Sequence, residues 1–143
     1  MKIKQLSVFV ENRAGRLADV ATRLGEARIN IRALSVADTA DFGILRLIVD
    51  DVDRARQLLA EAGYTVTLTD VLAIQVADQP GGLAAVLRAL EEAGLNVEYL
   101  YAFVPRTAGQ AVVVFRFDDP ERAVAVFSQL DLQAIPAEQL LRL

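Results

Sequence analysis

The sequence has 143 residues and no cysteine, no histidine and no tryptophan. Without cysteine there is no disulfide framework, no thiolate zinc site and no cysteine nucleophile. Without histidine the commonest general base and metal ligand is missing. No metal and no cofactor are expected. Long apolar runs are lacking too. Stretches such as Ala111 to Phe115 are far too short to cross a bilayer, and Met1 to Glu11 contains no signal-peptide core. A cytoplasmic, soluble chain with no membrane partner is expected. Basic residues number 15 against 19 acidic ones, a net charge of −4. Nucleic acid, whose phosphates want a basic patch, is therefore not an expected partner.

What is present is a high apolar content, 54%, enough for packed cores rather than disorder. One short stretch occurs twice. Asn12-Arg13-Ala14-Gly15-Arg16-Leu17 follows an alternating apolar run and opens a helical pattern, and Asp78-Gln79-Pro80-Gly81-Gly82-Leu83 does the same later. Gly15 and Gly81 are 66 positions apart, as are Leu17 and Leu83. Asn12 and Asp78 read as helix N-caps, whose side-chain oxygen accepts from the bare N–H groups of the next turn. Gly15 and Gly81 allow a tight turn and a close approach by another molecule. A helix start with bare amides suits a carboxylate or phosphate.

The rest of the chain repeats as well. Leu6, Val8 and Val10 alternate as a half-buried strand, and Leu72, Ile74 and Val76 match them. Leu17, Val20, Ala21 and Leu24 form the apolar stripe of a helix, matched by Leu83, Val86, Leu87 and Leu90. A second strand starts at Ile29-Asn30-Ile31 and its counterpart at Asn96-Val97. Hairpin turns are expected at Asp38 to Asp41 and at Pro105 to Gly109, then apolar third strands at Gly43 to Val49 and up to Phe117. Asp50, Asp51 and Asp53 open another helix, with Ala55, Leu58, Leu59 and Ala62 on its buried face. Its counterpart carries Ala123, Val126, Phe127 and Leu130. Strands at Tyr64 to Leu68 and Leu132 to Ile135 close the two units. Each unit reads β-α-β-β-α-β, an α+β ferredoxin-like arrangement of four antiparallel strands under two helices. The expected domains are 1–69 and 70–143. Only Thr69, Asp70 and Val71 lie between the flanking strands, so no flexible linker separates them.

The third strands are apolar on both faces. Leu45, Leu47 and Val49 oppose Ile44 and Ile48, and Val113, Phe115 and Phe117 oppose Val112 and Val114. Two helices cover one face only, so the other needs cover from the second unit or from another chain. Tyr99, Tyr101 and Phe103 are candidates for that surface. A homodimer is the expectation.

With the repeated turn, the Asn-Ile and Asn-Val strand starts and the element order in view, the chain resembles the ACT domain family. It is similar to a stand-alone pair of tandem ACT domains, over roughly residues 4–68 and 70–136. The resemblance implies a regulatory module that binds an amino acid or other small molecule between the first turn of one domain and the second-strand start of a partner domain. Carried over, it implicates Asn12, Arg13, Ala14, Gly15, Asn30 and Ile31, and Asp78, Gln79, Pro80, Gly81, Gly82, Leu83, Asn96 and Val97. Amides near either glycine would hold a carboxylate. Asn30 and Asn96 offer donor and acceptor, and Asp78 could pair with an ammonium. The Glu-Ser-Arg-Pro signature that resembles phenylalanine-sensing members is absent, so the resemblance names no ligand.

The resulting expectation is a small-molecule sensor with no chemistry of its own, passing its state to a partner enzyme or regulator. One alternative is a subunit that docks on an enzyme and binds no ligand. Another, from the same strand order, is an acylphosphatase-like hydrolase using Arg13, Arg16 and Asn30. The second unit has no arginine in its turn, which counts against it.

Overall fold

The computed structural model describes residues 2–38, 41–103, 110–130 and 132–142. The tips of both expected hairpins, at residues 39–40 and 105–109, lie outside that range. The chain divides into two compact units. One is Lys4–Thr69, and the other comprises Met1–Ile3 with Asp70–Leu143.

In the first unit, β1 (Ile3–Glu11) leads through the first turn into α1 (Arg16–Glu26). Then come β2 (Ile31–Asp38), β3 (Phe42–Val49), α2 (Val52–Glu61) and the start of β4 (Thr65–Ala77). The strand order is β2-β3-β1-β4. β3 is antiparallel to both β1 and β2, with Leu6 opposite Leu47 and Val36 opposite Leu45. Leu6, Val8 and Val10 pack with Leu45, Leu47 and Val49 against Val20 and Leu24 of α1 and Ala55 and Leu59 of α2. Both helices therefore cover the same face. Burying each large aliphatic side chain of this cluster contributes about 1.5–3 kcal/mol.

The second unit repeats the plan with the later half of β4, α3 (Gly82–Glu92), β5 (Val97–Phe103), β6 (Gln110–Phe117), α4 (Pro120–Phe127), β7 (Ala134–Ile135) and a short α5 (Ala137–Leu140). β6 lies between β4 and β5, and β7 pairs with β4. Leu72, Ile74, Val113, Phe115 and Phe117 meet Val86, Leu90, Ala123 and Phe127. Phe117 stacks on Phe115 and meets Phe127 edge-on, each pair 5.7 Å between ring centres.

The structure departs from the sequence reading in several places. The expected strands at Tyr64–Leu68 and Leu72–Val76 are one continuous strand, because Thr69-Asp70-Val71 contains nothing that breaks the extended backbone. The closing strand of the second unit is shortened to Ala134–Ile135. The faces of β3 and β6 away from the helices are buried only in part, with Phe42 exposed and Ile44 and Arg46 half-buried. Ile48, Val112 and Val114 are almost inaccessible, and Tyr101 and Phe103 join them. The large apolar side chains left exposed are others: Leu34 and Val36 on the edge strand β2, Phe9, Phe42, Leu17, Leu83 and Leu100.

Candidate functional site

Both turns are built by the same backbone hydrogen bonds. In the first, Arg13 N–H donates to Glu11 O (2.8 Å), Arg16 N–H to Arg13 O (3.3 Å) and Asp19 N–H to Gly15 O (2.9 Å). In the second, Gln79 donates to Ala77 (2.9 Å), Gly82 to Gln79 (3.0 Å) and Ala85 to Gly81 (3.0 Å). Each bond recurs 66 residues later. The helices start one residue after the glycine, with Gly15 and Gly81 themselves as N-caps and no side-chain cap bond. The expectation that Asn12 and Asp78 cap these helices is therefore corrected. They sit three residues too early, and both are exposed. Side-chain capping belongs to the other helices, where Asp51 accepts from Arg54 N–H (3.3 Å) and Asp119 from Arg122 N–H (3.1 Å). In α1 and α3 the amides of Leu17, Ala18, Leu83 and Ala84 precede the first full helical bond and have no partner within their helix.

Gly15 and Gly81 hold φ of +88° and +86°, the left-handed region that disfavours any side chain. Around both there is open space. Gly82 is glycine for a different reason. Its backbone is ordinary, but a Cβ there would lie 2.1 Å from Ala77 O.

Each turn lines a surface concavity. The first, about 490 Å³, is bounded by Arg13, Ala14, Gly15, Arg16 and Asp19. The second, about 400 Å³, reaches from Gln79, Pro80, Gly81 and Gly82 to Gln75, Leu132 and Gln133. Asn12, Asp78 and Leu83 lie on neither wall. The first concavity is the charged one. Arg13 pairs with Glu11 (3.0 Å) and Arg23 with Asp19 (2.9 Å). The Tyr64 hydroxyl donates to Asp19, and together with Arg23 it holds the Asp19 carboxyl below the usual carboxylate range. Partial burial, then the bond to Asp19, pushes the Tyr64 phenol up.

Asn30 and Asn96 stand elsewhere. Asn30 N–H donates to Asp50 Oδ1 (3.1 Å), and Asp50 N–H donates back to Asn30 O (3.2 Å). Asp118 N–H makes the matching bond to Asn96 O (3.3 Å). Ile31 and Val97, which follow, are half-buried against their cores. Asn12 N–H bonds Asp41 O at the start of β3, whereas Asn30 lies beside the end of β3. The strand between them is eight residues long, roughly 23 Å at 3.3 Å per residue. Within one unit the turn and the asparagine are not brought together.

A further cavity of about 240 Å³ is walled by Phe9, Glu11, Arg16, Phe42, Gly63 and Tyr64. Sequence reasoning missed it, because these residues come from four elements and share no motif. The lone signal is that Phe9 and Phe42 put large rings at positions the alternation assigns to the outer face. Among the described residues no three His, Cys, Asp or Glu side chains gather as a metal set, and no helix is long and apolar enough to cross a membrane.

The family model for an ACT domain pair matches residues 1–143. The chain belongs to the ACT domain pair family. Among solved structures, this ACT domain pair is similar to protein BT0572 from Bacteroides thetaiotaomicron, at 39% identity and TM-score 0.92, covering 100% of this chain and 98% of the other. It shares its fold with the ligand-free regulatory subunit of aspartate kinase from Thermus thermophilus, at 19% identity and TM-score 0.64, with 88% and 91% covered. The corresponding Thermus flavus subunit gives 19% and 0.61, with 88% and 90% covered. No curated protein matches the ACT pair. Two ferredoxin-like β-α-β-β-α-β units are the architecture this family implies, and the element order above is that architecture.

Proposed function

We propose that this ACT domain pair is a regulatory protein that binds a small carboxylate, most simply an amino acid, and has no catalytic activity of its own. The observation that supports it most is the turn built twice by one hydrogen-bond set, with helix-start amides that have no partner within their helix beside a concavity. A carboxylate would rest on the amides near Gly15 or Gly81. Asn30 or Asn96 would come from a second unit, since neither reaches its own turn. Asp78 stays a candidate partner for an ammonium only if that second unit brings the ligand to it.

The protein would act as a homodimer through the exposed edge strand β2, and pass its state to a partner enzyme or regulator. A second reading, a subunit that docks on an enzyme and binds nothing itself, draws on the same exposed Leu34 and Val36. A thermal-shift screen of the full chain against the twenty amino acids separates the two. A ligand at a hundred times its Kd stabilises by about 2.7 kcal/mol. No shift with any amino acid would refute the sensor reading.

A further inference from the structure

In both units the closing strand begins beside the start of the first helix. Tyr64 and Thr65 share a cavity wall with Arg16, and Leu132 and Gln133 share one with Gly82. The two closures are held differently. In the first unit the Tyr64 hydroxyl donates to Asp19 in α1, and Arg23 Nε meets the same Asp19 oxygen at 2.9 Å. This latch pins the strand to the helix. The repeat shows what stands in its place. Asp19 and Arg23 have Ala85 and Ala89 as counterparts 66 positions on. Beyond the second hairpin the offset is 68, and Tyr64 has Leu132 as its counterpart. All three latch members are therefore apolar in the second unit, and none of these side chains can make a hydrogen bond.

The strands themselves differ as well. The closing strand of the first unit is the beginning of a strand of 13 residues, Thr65–Ala77, and has no loose end. β7 is two residues long and pairs with β4 only at Ala73 and Ile74. One further bond, from Gln75 N–H to Gln133 O (2.9 Å), extends that ladder. Beyond it Ile135 and Leu140 are buried and anchor the chain, whereas Leu132 is half-buried and Gln133 exposed.

We propose that Leu132–Ala134 is a gate on the concavity of the second turn, and that the matching segment of the first unit is latched. Opening breaks the Gln75–Gln133 bond and the short ladder, while Ile135 and Leu140 stay in place. So few bonds set little against the backbone freedom gained. The second concavity can then change its size, and the first keeps the size its latch sets. The use of the gate rests on the reading that these concavities take a small carboxylate, but its test needs no ligand.

The test is amide hydrogen exchange on the full chain, read by NMR as protection factors. The bonded amides of residues 132–135, with Gln75, should be at least about tenfold less protected than those of residues 64–68. Tyr64→Phe should lower the protection of residues 64–68 toward the second-unit value. Leu132→Tyr with Ala85→Asp transplants the latch and should raise the protection of residues 132–135 by about tenfold, with residues 64–68 unchanged. Equal protection of the two segments in the parent would overturn the proposal. So would a folded transplant that gains no protection. If the transplant does not fold, Tyr64→Phe decides, and an unchanged first segment in that variant overturns the latch. None of these failures touches the sensor reading, which the amino-acid screen tests on its own.

Discussion

The hydroxyl of Tyr64, the residue just before β4, donates to the carboxylate of Asp19 in α1, and Arg23 approaches the same oxygen one helical turn on. The pair ties the last strand of the first unit to the helix that carries the first turn. Asp19 is held below its usual range, chiefly by that hydroxyl and then by Arg23. A carboxyl with a depressed folded-state value contributes stability above its unfolded value, and loses it as pH falls. The loss should begin near pH 4 and continue below. Tyr64→Phe should therefore reduce the drop in stability between pH 7 and pH 3, read by urea titration at each pH. An unchanged acid limb would show that Tyr64 does not hold the carboxyl.

Gly81→Ala and Gly82→Ala should rank opposite to what their backbone angles suggest. Gly81 has the left-handed backbone but open space, so alanine should cost about 1–2 kcal/mol. Gly82 has an ordinary backbone but no room, so alanine must push the turn off Ala77 O and should cost about 3 kcal/mol or more. Chemical denaturation of the two variants checks the order.

The caps give a second ranking. Asp51→Ala and Asp119→Ala remove real side-chain caps and should each cost about 0.5–2 kcal/mol. Asn12→Ala and Asp78→Asn remove none and should stay within about 0.5 kcal/mol of the parent. Any effect of Asp78→Asn on amino-acid affinity is then an effect on the ligand and not on folding.

Assembly is tested on β2. Leu34 and Val36 are 56% and 47% exposed on an edge strand, and an apolar edge is a template for pairing with another chain. Light scattering at micromolar concentration should give twice the chain mass. Leu34→Lys with Val36→Lys should return it to one chain. A parent protein that already weighs one chain would end the dimer proposal.

The sequence by itself determined the element order, the two-unit plan and the position of both turns. These follow from local signals: apolar periods of two and of 3.6, and a glycine where the backbone must turn. It placed Leu45, Leu47 and Val49 on one face of β3 and Ile48 on the other, because side chains in a strand alternate. Only the tertiary structure decided what those faces meet. Ile48, Val112 and Val114 are buried in the folded chain, and strand alternation by itself does not say whether an outer-face residue is buried or exposed. Capping was misread for a related reason. Asn12 and Asp78 have cap chemistry, but the three-residue turn after them delays the helix, and a cap works only at its first residue. The reach of each asparagine was likewise decided by the fold, since β3 spaces Asn30 from its own turn by the length of a strand. The hollow beneath the first turn was hidden most completely. Glu11, Arg16, Phe42 and Tyr64 share no spacing, and only the packing of four elements makes them walls of one cavity.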